Sequence, residues 1–173
     1  MAQKLAGGNI ALALPCNTLP TGAILVVLIL VFGPLSGAHL NAAVSIAFAL
    51  CGKVPWSTAA VFMVAQIHGA IGGVGMAHLM FDLSIWQLSV TTRAGLGQWL
   101  AEAVATFGLV LTILGCMACT PASVPYAVGL YITSAYWFMA STSFANPAVT
   151  IARSLSDTFA GIAPSGVAAF IVA

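Results

Sequence analysis

Two asparagines carry the most informative chemistry in this chain. Asn41-Ala42-Ala43-Val44-Ser45-Ile46-Ala47 is matched by Asn146-Pro147-Ala148-Val149-Thr150-Ile151-Ala152 at five of seven positions. A carboxamide brings two N–H donors and a carbonyl acceptor and carries no charge. Paired amides therefore suit the orientation of a neutral, hydrogen-bonding molecule rather than proton transfer. The rest of the chain argues the same way. Asp and Glu together number 3, Lys and Arg 4 and His 3, and they are scattered. Paired carboxylates and a nucleophile–base–acid set are both missing, so no catalytic residues, no enzyme activity and no cofactor are expected. A formal net charge of +1 supplies no basic field for nucleic acid.

The elements that must position these amides are membrane helices. The chain has 173 residues, 61% hydrophobic and 4% charged, against about a quarter charged in an average soluble domain. So few charges cannot cover an aqueous surface, and lipid is the expected partner. A helical span needs about 20 apolar residues. Stretches 10–32, 57–80, 97–118 and 124–140 qualify or nearly do. Runs this long are not the alternation of barrel strands, so helices are expected. The connectors are Gly52-Lys53-Val54-Pro55, a polar loop over 82–96 and a tight turn over 119–123. The small-residue run Gly69–Gly75 suits close helix contact. No cleavable leader stands out. Cysteines 16, 51, 116 and 119 imply no disulfide framework. Cys116 and Cys119, a CxxC pair, read as two small buried residues one turn apart rather than as a redox or metal site.

Two apolar segments, 41–51 and 146–156, are too short to span, and they are the two that open with the repeated asparagines. Eleven helical residues reach about 16 Å, half the hydrocarbon core. Three spans separate them, an odd number, so they enter from opposite faces and form an inverted repeat. Each Asn is a preferred N-cap, and Pro147 suits a first helical position. Two helix N-termini facing one constriction repel cations and leave neutral solutes unpenalised.

Longer motifs around these segments resemble the aquaporin, or major intrinsic protein, family. Ser36-Gly37-Ala38-His39-Leu40-Asn41-Ala42-Ala43-Val44 is similar to its first signature. Ser143-Phe144-Ala145-Asn146-Pro147-Ala148-Val149 is similar to its second. Ala65-Gln66-Ile67-His68-Gly69-Ala70 and Glu102-Ala103-Val104-Ala105-Thr106-Phe107 resemble motifs of its third and fourth spans. The resemblance implies an all-α membrane protein over 1–173, a single transmembrane domain. About four full transmembrane helices, two half-helices and the start of a last helix are expected. The first half would be 1–81 and the second 97–173. Asn41, Ala42, Ala43, Asn146, Pro147 and Ala148 would form the pore constriction. The family pattern also implies truncation at both ends: the counterpart of span 97–118 would precede residue 1, and 168–173 would only open a last span. A homotetramer is implied for a complete chain.

Two departures bear on function. Ala42 replaces the usual Pro, which leaves helix formation intact but loses a preorganised first turn. The selectivity filter, carried over from the Asn motifs, falls at Thr21, Ser134, Ser143 and Val149. Water-selective and glycerol-type relatives have aromatic residues and an Arg there. Val149 stands where the Arg is expected, so a wider mouth with hydrogen-bonding walls is implied, like that of bacterial relatives linked to arsenite movement. Arg153, one turn past Val149, either lines the outer vestibule or snorkels to water, and the second is favoured. His39 matches a pore-wall position, and Glu102 a buried carboxylate that supports a half-helix loop. His68 and His78 are expected to pack or reach the interface. Lys4 and Arg93 fall on one side and Lys53 on the other, a weak departure from the family topology under the positive-inside rule.

The expected function is thus passive movement of water and small neutral solutes such as glycerol, urea or arsenous acid, with no metal, across a bacterial inner membrane. The alternatives are a non-conducting fragment and a scaffold or regulatory subunit associating with full-length relatives.

Overall fold

The computed structural model describes residues 2–173, and all its regular elements are helical. They are α1 (Ala2–Leu5), α2 (Ile10–Ser36), α3 (Ala42–Leu50), α4 (Trp56–Met80), α5 (Leu96–Cys119), α6 (Val124–Phe138), α7 (Pro147–Arg153) and α8 (Pro164–Val172), with a 3-10 turn at Pro121–Ser123 before α6. Three are long and apolar enough to cross a membrane: α2, α4 and α5. The fourth predicted span, 124–140, is a 15-residue helix that stops at Phe138, where Met139 turns to an extended backbone (φ −103°, ψ 130°).

Contacts divide the chain into two compact units. The first holds the chain up to Ala38 together with Ala101–Ser143. Here α2 crosses α6 with backbone against backbone. A Cβ added at Gly22 would lie 2.8 Å from the Gly129 carbonyl oxygen, and one at Gly129 would lie 2.7 Å from that of Gly22. Only glycine permits that approach, which replaces the hydrophobic drive that lipid does not supply. Tyr131 of α6 donates to the Ala105 carbonyl of α5 at 3.0 Å, and its ring fills the space a side chain at Gly108 would need. α2 contains Pro15, Pro20 and Pro34 and remains helical for 27 residues. The Thr18 and Thr21 hydroxyls bond back to the Leu14 and Asn17 carbonyls in the stretch around the first two prolines. Gly37 ends the helix in the left-handed region (φ 75°), its N–H on the Gly33 carbonyl.

The second unit holds His39–Leu100 and Phe144–Ala173. α3 and α7 pack on α4 and meet each other, and α8 packs on α7. Phe144, Ile162, Phe170 and Val167 form its apolar core. The 81–95 segment is fastened to the chain after α7. His78 is 3% exposed and uses both ring nitrogens. Its Nδ1–H donates to the Ile85 carbonyl at 2.9 Å, and Nε2 lies 3.1 Å from the Ser156 hydroxyl. The Ala163 N–H reaches the Thr91 carbonyl at 2.7 Å. His78 thus packs, as expected, while His68 is exposed and bonds back to the Val64 carbonyl of its own helix.

The CxxC expectation is corrected. Cys119 is exposed and Cys116 half-buried, and all four cysteines are free thiols. The pair lies in the last turn of α5, C-terminal to its buried residues Ala101, Ala105, Leu109 and Ile113.

Candidate functional site

The two short helices are built alike from their first residue. Asn41 (φ −144°, ψ 126°) and Asn146 (φ −157°, ψ 110°) are both extended N-caps. Each uses its side-chain oxygen on its own helix: Ala43 N–H donates to Asn41 Oδ1 at 2.9 Å, and Ala148 N–H to Asn146 Oδ1 at 3.1 Å. Each then extends its amide nitrogen to the other segment. Asn41 Nδ2 donates to the Ala145 carbonyl at 2.6 Å, and Asn146 Nδ2 to the Leu40 carbonyl at 3.0 Å. Ala42 N–H also points at Asn146 Oδ1, 3.5 Å away. The result is a reciprocal latch between two helix N-termini. It takes one N–H from each carboxamide and leaves the second.

The helices are shorter than the apolar segments that predict them. α3 has 9 residues and α7 has 7. Cys51 and Gly52 end the first, Gly52 with φ 67°. In the second, the Ser154 hydroxyl bonds back to the Ile151 carbonyl at 2.7 Å and ends the ladder. Both turns into the asparagines contain strained backbone. Ala38 (φ 49°) and Ser143 (φ 47°) lie three residues before their asparagines, and Ala145 (φ 46°) one before. A left-handed non-glycine residue costs about 1–3 kcal/mol and persists only where its surroundings hold it.

α3 is braced by a polar cluster. The Ser45 hydroxyl donates to the Asn41 carbonyl at 3.2 Å. Its oxygen accepts from Gln66 Nε2 at 3.1 Å and meets His39 Nδ1 at 3.2 Å. The hydroxyl has one proton, so when it is given to the Asn41 carbonyl, His39 Nδ1 carries the hydrogen of that contact. Nε2 of the imidazole is then a lone-pair acceptor. Gln66 Nε2 also donates to the His39 carbonyl, fixing the turn that carries the ring. The ring packs against Phe48 and Phe62, with centroids 4.8 and 4.9 Å away.

A cavity of about 430 Å³ opens beside this cluster. Its wall includes His39, Leu40, Phe62, Gln66, Asn146, Ala148 and Val149. Of the residues singled out from the sequence, His39, Asn146, Ala148 and Val149 therefore share one cavity. Asn41, Ala42 and Ala43 bond within the latch, Pro147 is the first residue of α7, and none of the four is on that wall. Thr21, Ser134 and Ser143 belong to the first unit. The Thr21 and Ser134 hydroxyls donate to their own helices, at the Asn17 and Leu130 carbonyls, so toward any solute each is an acceptor. Ser143 is 2% exposed, with a buried hydroxyl that has no hydrogen-bond partner among the described residues. Glu102 is 2% exposed on α5.

Sequence reasoning missed two residues. Gln66 entered only as part of a motif, although it ties α4 to the turn before α3. Arg93 entered only as a loop charge, yet it is 7% exposed. Its Nε donates to the Gly161 carbonyl at 2.7 Å and a terminal nitrogen to that of Phe159 at 3.0 Å. Its guanidinium also lies over the Phe144 ring, 5.0 Å from the centroid. Arg153 covers the same ring at 4.3 Å. The expectation that Arg153 snorkels is corrected: its head is held by an aromatic face.

The chain matches the Major intrinsic protein family over residues 4–134. It is 56% identical over all 173 residues to the aquaglyceroporin AqpS of Rhizobium meliloti, covering 74% of that protein. It is 32% identical over 151 residues to the glycerol uptake facilitator protein of Bacillus subtilis, which takes in 78% of this chain and 55% of that one. A probable NIP-type aquaporin of Nicotiana alata is 36% identical over 96 residues, 54% of this chain and 36% of its own. The chain is a multi-pass membrane protein, its family is one of channels rather than enzymes, and it belongs to the major intrinsic protein family.

Proposed function

We propose that the chain forms a passive channel for water and small neutral hydroxylated solutes, glycerol and metalloid hydroxides among them. The observation that carries this reading is the reciprocal Asn41–Asn146 latch beside a cavity with both hydrogen-bonding polarities. Asn146 keeps one N–H donor, and the His39 tautomer with its hydrogen on Nδ1 offers Nε2 as an acceptor. A hydroxyl donates and accepts, so one wall can meet both needs of a dehydrating solute while Phe62, Ala148 and Val149 take its carbon or metalloid side. The names of the two bacterial relatives, an aquaglyceroporin and a glycerol uptake facilitator, support the same solute class.

On this reading Asn41, Ala42, Ala43, Asn146, Pro147 and Ala148 form the constriction. Thr21, Ser134, Ser143 and Val149 form a filter without an aromatic residue or a cation, wide enough for a trihydroxide. His39 is pore wall, and Glu102 supports a half-helix loop. The domain is 1–173, with α2, α4, α5 and the shorter α6 as its full spans, α3 and α7 as half-helices and α8 as the start of a last helix. The halves 1–81 and 97–173 are related by inversion. A homotetramer would cover apolar faces such as that of α2, where Leu19 is 64% and Val31 54% exposed.

Uptake into liposomes carrying the purified chain tests the solute class. Glycerol and arsenous acid should enter faster than into empty vesicles. Water flux with no solute flux would sink it.

A further inference from the structure

We propose that Ser45 is a specificity-determining residue of the cavity wall. Its hydroxyl holds the His39 ring in the tautomer with a bare Nε2 toward the cavity, and on the pore reading above, on which this rests, the wall then selects solutes that donate a hydrogen bond. A neutral imidazole is a donor on one nitrogen and an acceptor on the other, and the partner of one decides the role of the other. His39 lines the cavity. Its Nδ1 lies 3.2 Å from the Ser45 hydroxyl, and its Nε2 has no hydrogen-bond partner among the described residues. What Ser45 presents to Nδ1 therefore decides what a solute meets at Nε2.

The hydroxyl has one hydrogen, two lone pairs and a polar neighbour for each. The Asn41 carbonyl, 3.2 Å away, can only accept. Gln66 Nε2, 3.1 Å away, can only donate. The Gln66 amide cannot be turned round, because Nε2 also donates to the His39 carbonyl, and an oxygen there would face an oxygen. One assignment satisfies every neighbour: the hydrogen goes to Asn41, and the lone pairs take Gln66 Nε2–H and His39 Nδ1–H. Giving the hydrogen to Nδ1 instead forfeits the Asn41 bond and leaves a lone pair idle. Ser45 is 0% exposed, so water does not replace what is lost. The other half of the repeat points the same way. Thr150 is the counterpart of Ser45, and its hydroxyl donates to the Asn146 carbonyl at 2.9 Å. The counterpart of His39 is Phe144, which has no nitrogen. The bond from hydroxyl to carbonyl thus belongs to the motif itself, and His39 adapts to it. Gln66 Oε1 is buried with no hydrogen-bond partner among the described residues, so it does not serve the cavity as an acceptor. The Phe48 and Phe62 rings pack on the imidazole and hold it in place.

The test joins solid-state nitrogen NMR of histidine-labelled protein in liposomes with stopped-flow glycerol flux on the same preparations. Of the 3 histidines, the signals of His39 are those missing from His39→Gln. The unmodified chain should show a protonated Nδ1 and a bare Nε2. In Ser45→Ala an Nδ1–H would be left unpaired beside Phe48 and Phe62, so the hydrogen should move to Nε2. Glycerol flux should then fall about twofold to tenfold as the wall loses an acceptor. Ser45→Thr, which has the hydroxyl that Thr150 uses in α7, should keep the unmodified spectrum and flux. A protonated Nε2 in the unmodified chain, as neutral tautomer or imidazolium, overturns the proposal. So does a Ser45→Ala spectrum like the unmodified one, or a moved hydrogen with unchanged glycerol flux. If Ser45→Ala does not insert, Ser45→Val, shaped like Thr without its hydroxyl, is read against Ser45→Thr with the same expectations. Absence of glycerol flux in the unmodified chain overturns the pore reading and the solute selection with it, while the spectra, which need no flux, still decide whether Ser45 sets the tautomer.

Discussion

α3 and α7 open with the same asparagine latch, but what stands behind each is different. α3 is braced by neutral hydrogen bonds: Gln66 holds the His39 carbonyl and the Ser45 hydroxyl, and Ser45 holds the Asn41 carbonyl. α7 is braced by cations on an aromatic ring and by an apolar core of Phe144, Ile162 and Phe170. The repeat preserves what the two helix ends do to each other and lets their supports diverge. On the channel reading proposed above, the neutral brace holds the turn that carries His39. Two copies of one motif can thus be held in place by different supports.

The two braces should respond differently to mutation. The largest effect is expected at Phe144, which is 4% exposed. Phe144→Ala removes an aromatic core residue and both cation–aromatic contacts, and should cost about 3–5 kcal/mol in detergent-solubilised unfolding. Asn146→Ala comes next. It loses a cap to Ala148 and a donor to Leu40, about 1 kcal/mol each, together with the long contact to Ala42. Asn41→Ala loses a cap and one donor, so unfolding midpoints should rank Asn146→Ala at or below Asn41→Ala. Gln66→Leu should cost about 1–3 kcal/mol by orphaning buried acceptors in the α3 brace. It should slow glycerol flux, because Gln66 holds the turn that carries His39. The smallest effect is a gain. Ala42→Pro gives α3 the first residue α7 already has, and should stabilise by about 0.4–1 kcal/mol. The N–H it removes contributes little, being 3.5 Å from Asn146 Oδ1. A clear loss on Ala42→Pro would show that the long contact matters and that the two ends are less alike than they look.

Much of this was legible in the sequence because it is local. N-cap asparagines, Pro147 at a first helical position and apolar runs of span length are read from neighbours along the chain. The three long helices fall where the hydropathy puts them. What was not legible is tertiary. Arg93 reads as a loop charge because nothing near it in sequence says that it folds against residues 159–161. Phe144 reads as one motif residue, and the ring's two cations come from separate segments. Cys116 and Cys119 read as buried because free cysteines usually are, whereas they fall in the last turn of α5, beyond its buried stretch. The short helices end early at Gly52 and Ser154 through turn geometry and a side-chain bond, which apolar content does not report. The left-handed backbone at Ser143 and Ala145 has no glycine to announce it.

The central claim is that the Asn41–Asn146 latch borders a conducting passage. Stopped-flow glycerol flux into liposomes, with Asn41→Leu and Asn146→Leu beside the unmodified chain, tests it most directly. The account predicts flux above empty vesicles from the unmodified chain, and flux reduced to the empty-vesicle level by either substitution in protein that still inserts. Unmodified flux that both substitutions leave unchanged would contradict it, and the passage would have to lie elsewhere in the molecule.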